Sequence, residues 1–187
     1  MRRVTSVLVM SARPIVNQPA RSSSTSQVLP SSAARVALWR GLTSQGTQAF
    51  EKGHDVRARQ LYEEALAEAE EVFGAATNTN NPEAIRLAPL LYCISCNNIV
   101  ELVRRQSDNE TVGIFLYRAF AKLVSIAESP AMALELRARC ALHLNVAAGA
   151  LTRYLEQQGS WAAARAHGRH AENAIAEVQR LEQLALT

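Results

Sequence analysis

One signature occurs three times in this chain and constrains its fold more than any other feature. It is a turn residue, a polar or aromatic residue, and a small apolar residue five positions after the turn, with further apolar residues down a helix. The copies are Gly53-His54-Asp55 leading to Ala58, Tyr62 and Ala65; Ser107-Asp108-Asn109 leading to Val112, Leu116 and Ala119; and Gly159-Ser160-Trp161 leading to Ala164, Gly168 and Ala171. Repetition at near-constant spacing predicts a stacked helical array, in which each unit buries its apolar face against its neighbours.

Apolar periodicity places the helices. Pro30-Ser31-Ser32 reads as a helix start, Gly53 as a stop, and Asp55 as the N-cap of a second helix. In that second helix Ala58, Leu61, Tyr62, Ala65, Leu66, Ala69, Val72 and Phe73 recur at helical spacing. Gly74 to Pro82 reads as a loop, and Pro89 as a kink near the start of the third helix. The expected helices are 33–52, 55–73, 83–106, 109–128, 131–158 and 161–185. Leu142 to Leu151 is almost continuously apolar, which predicts burial on several sides. The last helix should turn Ala174, Ile175, Val178, Leu181 and Leu184 inward and Glu172, Glu177, Arg180, Glu182 and Gln183 outward, as a terminal cap does. The fold class is all-α: three long antiparallel hairpins in a helical domain over 31–187.

Charge divides the chain. Residues 1–50 hold six arginines and no carboxylate before Glu51, whereas 51–187 hold 14 basic and 17 acidic residues. The net charge of +3 therefore resides in the N-terminal region, and the helical part carries no nucleic-acid footprint. Residues 1–30, with Arg2, Arg3, Arg13, Arg21, the run Ser22 to Ser26 and three prolines, have the composition of a disordered basic tail. A transit peptide, a secretory signal or a true start at Met10 are the alternatives. Three cysteines form no paired framework, which points to a reducing compartment, the cytoplasm, or an organelle if residues 1–30 are a targeting segment. No run approaches a membrane span.

The chain resembles the tetratricopeptide repeat. Gly46, Ala49, Phe50, Gly53, Ala58, Tyr62, Ala65 and Leu66 fall on that family's spacing of small and aromatic positions. Ile99, Val103, Ser107, Val112, Leu116 and Ala119 form a second copy, in which Asn97-Asn98-Ile99 looks like the Asn-Asn-Leu variant of bacterial repeats. Leu151, Leu155, Gly159, Ala164 and Ala171 form a weaker third. The turns lie 54 and 52 residues apart, longer than the family's period of about 34, and the usual proline after each second helix is missing. The resemblance implies a right-handed superhelix whose concave groove, lined by the first, third and fifth helices, holds a peptide or partner helix. Carried over by turn register, the groove positions are Arg40, Thr43 and Thr47; Asn97, Glu101, Arg104 and Arg105; and Arg153 and Gln157. Asn97, Arg104 and Arg153 are then the residues to grip a peptide backbone or carboxylate.

Two other sets carry chemistry. Cys93 and Cys96, with Cys140 and His143, are a C-x-x-C and a C-x-x-H on neighbouring helices, which makes a Cys₃His zinc site conceivable. Buried structural thiols are the competing reading, favoured by the mid-helix placement and by the offset between the pairs. His167 and His170 share a face with no carboxylate at a supporting spacing and read as an exposed polar surface. No G-x-S-x-G, P-loop or H-E-x-x-H occurs. The expectation is a non-catalytic protein–protein interaction module without a cofactor, an adaptor or chaperone-like scaffold. A self-assembling structural protein, or a metal- or redox-responsive regulator using the cysteine set, are the alternatives.

Overall fold

The computed structural model describes residues 31–187, so the expected N-terminal tail lies outside the described residues. These residues form six helices and no strand: α1 (Ser32–Glu51), α2 (Asp55–Thr79), α3 (Pro82–Arg105), α4 (Asn109–Glu128), α5 (Leu134–Gln157) and α6 (Trp161–Ala185). Consecutive helices pack on one another as three hairpins. Contacts between α1 and α3, α3 and α5, and α4 and α6 stack the hairpins in succession.

The repeated signature is a repeated backbone turn. Gly53, Ser107 and Gly159 all take the left-handed conformation, with φ of 73°, 59° and 73°. After each of them the next residue's N–H donates back across the helix end: His54 to the Ala49 carbonyl at 2.9 Å, Asp108 to Val103 at 3.1 Å, and Ser160 to Leu155 at 2.8 Å. This is the helix-terminating bond that a left-handed residue makes possible. The next helix then opens with the small residue, as Ala58, Val112 and Ala164 donate to the carbonyls of His54, Asp108 and Ser160. All three small residues are buried.

Caps account for several boundaries. Ser31, Asn81 and Asp108 accept from Ala34, Ala84 and Thr111 N–H groups at 3.2, 3.0 and 3.0 Å, and Pro82 follows its cap at the first helical position. Asp55 is not the N-cap expected of it. His54 holds that position without a side-chain bond, and Asp55 is the first helical residue, held by Arg105. Helix α2 runs six residues past its expected end, because Ala76 continues its buried stripe and Asn80, at φ 49°, supplies the left-handed stop. Helix α3 continues through the buried Pro89. Helix α5 starts three residues late, at Leu134, and buried Arg137 in its first turn donates to the Ala127 carbonyl near the end of α4 at 2.9 Å.

The helices approach closely where glycine permits it. A Cβ at Gly46 would lie 2.6 Å from the Tyr62 ring, and one at Gly113 would lie 2.6 Å from the Tyr154 hydroxyl. Tyr154 donates to the Asn109 carbonyl at 3.0 Å, so it joins α5 to the start of α4. The second helices are tied by charge: Arg118 on α4 meets Glu70 on α2 at 2.6 Å, and Lys122 lies over the Phe73 ring.

Two expectations about exposure fail. Leu142 and Val146 on α5 are 64% and 65% exposed, and Leu184 on α6 is 58% exposed. Helix α5 packs mainly on α3, α4 and α6, and among the described residues its remaining side is exposed. The polar residues expected outward on α6 are all exposed. No helix among the described residues is long and apolar enough to cross a membrane.

Candidate functional site

The site lies in the seam between α3 and α5, where a cavity of about 150 Å³ sits over α4. Each wall is one helical face. Leu90, Cys93, Ile94 and Asn97 come from α3, and His143, Val146, Ala147 and Ala150 from α5, both at spacing i, i+3, i+4, i+7. The floor is Leu116 and Ala119, two residues of the second repeat signature. Leu90, Asn97 and Val146 are themselves solvent-exposed, so the cavity reaches the surface along them.

The matching seam between α1 and α3 is filled. There the Trp39 indole N–H on α1 donates to the Ser95 hydroxyl on α3 at 2.8 Å, with both residues buried. Counted back from the turns, Trp39 stands fourteen residues before Gly53, and Cys93 fourteen before Ser107. Ser95 stands twelve before Ser107, and Ala147 twelve before Gly159. The second seam thus has a thiol and a methyl where the first has an indole and its acceptor. Both Cys93 and Ala147 line the cavity.

No charge is built into this cavity at neutral pH. Burial pushes the Cys93 thiol up to about 12, and burial with the His143 neighbour Arg139 holds the imidazole below its usual value. The polar groups available are therefore a protonated thiol, a neutral imidazole and the Asn97 amide, which makes none of the side-chain hydrogen bonds found among the described residues. Around them stand cations. Arg86 lies one turn before Leu90, Arg139 one turn before His143, and Arg153 one turn after Ala150. None of the three meets a carboxylate among the described residues, in contrast to Arg35, Arg59 and Arg118 elsewhere.

The structure sorts the sequence candidates. Asn97, Cys93 and His143 converge on the cavity. Glu101 and Arg104 form an exposed ion pair at 2.8 Å beyond it. Arg40, Arg153 and Gln157 are exposed on first helices. Arg105 is a structural latch and not a groove residue: it donates to the Phe50 carbonyl at 2.8 Å, pairs with Asp55, and lies 3.8 Å over the Phe50 ring. Those contacts hold α3 to the first turn and occupy the guanidinium. Thr47 turns toward α2, where it accepts from the Tyr62 hydroxyl at 3.4 Å. Thr43 belongs to the filled seam, with its hydroxyl buried and unpartnered.

The zinc arrangement is not assembled. Among the described residues no group of three or more His, Cys, Asp or Glu is placed to hold a metal. Cys96 and Cys140 are buried, and burial raises both thiols to about 12, which leaves them protonated and unreactive. His170 is exposed as expected, but its carboxylate partner comes from another helix, Glu128 at 2.7 Å. His167 is half-buried, edge-on to Phe120 at 5.0 Å.

Leu90, Ile94, Val146, Ala147 and Ala150 were not singled out from sequence. Their apolar character reads as core, and a sequence signal for the seam lies in the turn register, which sets Cys93 and Ala147 against the bulkier Trp39 and Ser95. Residues 37–185 match the model of a family described as protein of unknown function (DUF2753), from within α1 to the end of α6. No curated protein and no solved structure matches the chain.

Proposed function

We propose that this chain, which belongs to the DUF2753 family of proteins of unknown function, is a non-catalytic protein–protein interaction module of tetratricopeptide-repeat-like build. Its first helices, α1, α3 and α5, form a groove that holds a peptide or partner helix. The observation that carries this reading is the α3–α5 cavity with its exposed rim of Leu90, Asn97 and Val146. Exposed apolar side chains beside a pocket mark a surface that gains by being covered. The identical left-handed turns and buried small residues support the repeat-like build and its superhelical stacking.

The test is a double variant, Leu90→Asp with Val146→Asp, compared with the wild type and with Glu64→Lys on α2. Binding proteins retained from the native host by wild type and by Glu64→Lys should be lost by the double variant, with unchanged helicity. Equal retention by all three sinks the proposal.

One observation favours self-assembly as a second reading. At the end of the stack an open groove between α5 and α6 is lined by Leu134, Ala138, Leu142 and Leu186, with the charged Glu135, Arg139 and Glu182 among them. A second copy packed there would continue the array. Light scattering decides it, since a monomer at all concentrations removes this reading.

A further inference from the structure

The cavity carries an indication of its own occupant. In the α1–α3 seam the space between neighbouring first helices is filled by an aromatic ring from the chain itself, Trp39. In the α3–α5 seam the equivalent residue is Cys93, its opposite number is Ala147, and both border empty volume. A void of this size, on the order of 150 Å³, takes a benzene-sized ring, and it is smaller by about half than the pockets that enclose whole organic ligands. A single ring carried on a longer molecule fits that volume.

The surroundings fix the rest of the chemistry. The lining is uncharged, with Asn97 and His143 free to bond a ring hydroxyl or the backbone beside the ring. Just beyond the lining, Arg86 and Arg139 lie one turn before Leu90 and His143, and Arg153 one turn after Ala150; Arg139 also borders the α5–α6 groove, and all three lack carboxylate partners among the described residues.

We infer that the α3–α4–α5 cavity is an anchor site for one aromatic side chain, of phenylalanine or tyrosine size, on an acidic partner peptide whose carboxylates meet Arg86, Arg139 and Arg153. The ring does in the second seam what Trp39 does in the first. This inference rests on the peptide-binding reading and names the partner chemistry.

The experiment is selection of a random twelve-residue peptide library on the full chain, followed by titration of the selected peptides. The expected consensus is one Phe or Tyr with Asp or Glu on both sides. Replacing that ring with Ala should weaken binding roughly tenfold or more, the scale of a buried anchor. Cys93→Trp, which carries its own ring into the cavity, should weaken binding comparably while keeping the wild-type circular dichroism. Ala150→Leu is a smaller filler at a half-exposed position, to be used where Cys93→Trp does not fold. Arg86→Glu with Arg139→Glu should also lower affinity roughly tenfold. Selected peptides without an aromatic residue, or bound equally by the filled variants, overturn the anchor while leaving the groove standing. Enrichment no greater than on the Leu90→Asp, Val146→Asp variant overturns the anchor and the groove together.

Discussion

The two seams between first helices are built on the same plan and finished differently. Between α1 and α3 an indole crosses to a serine hydroxyl, and on the same two helices Thr43 Oγ1 and Asn98 Nδ2 are buried without partners among the described residues. Between α3 and α5 a thiol faces a methyl across a void. Burying unpaired polar groups costs free energy, so the first hairpins pack in spite of a penalty. The second forgoes packing that a larger residue would supply, and its exposed apolar rim makes that omission available to a partner. The difference teaches that the same helical register can be closed by the chain's own side chains in one seam and left open in the next.

The largest expected effect comes from breaking the first seam. Trp39→Ala should lower unfolding free energy by about 3–5 kcal/mol, the cost of deleting a buried ring, whereas Cys93→Ala should cost about 1 kcal/mol or less. Chemical denaturation of both variants measures the contrast, and equal losses would remove the distinction between the seams. Next comes transplantation. Cys93→Trp with Ala147→Ser copies the first seam into the second and should raise stability by about 1 kcal/mol, as cavity filling does. A drop in melting temperature would show that the α4 floor leaves no room for the indole.

A comparable gain should come from a position where the two halves ought to be alike. The middle turn places Ser107 in the left-handed region that its counterparts occupy with glycine. Ser107→Gly should stabilise by about 1 kcal/mol through relief of that conformation, read as a shift in denaturant midpoint. The smallest effect concerns acid. His143 is held below its ordinary pKa by burial and by Arg139, so folding favours its neutral ring. As pH falls below the ordinary histidine value, the unfolded chain takes up a proton that the folded chain resists, and stability declines. In melts between pH 7.5 and 5.5, His143→Gln should lose less stability than wild type. An identical slope would show that the second seam opens to water more readily than its burial indicates.

Much of the fold was legible because it rests on local chemistry. The turns at 53, 107 and 159 declare themselves through glycine, serine and the small residue five positions on, since a left-handed stop and a close crossing demand those types. Helix α2 outran its expected end because Ala76, beyond Gly74, is buried and continues the packed stripe. Tertiary packing there outweighed the weak helix preference of glycine. The site was legible in part. Asn97, Cys93 and His143 were marked as candidates, while Arg105 was assigned to the groove by register alone. A register gives a residue's face, but not what a long side chain reaches; Phe50 and Asp55 claimed it from a neighbouring hairpin.

The sequence by itself determined that residues 31–187 are helical and where the hairpins turn, because those follow from contacts within a few positions. The tertiary structure alone decided that Leu142 and Val146 face solvent, that Cys96 and Cys140 are buried apart from any metal geometry, and that Cys93 borders a void where Trp39 fills one. Those outcomes depend on which helix lies opposite. An apolar residue reads the same in sequence whether its opposite number is a side chain or an empty space.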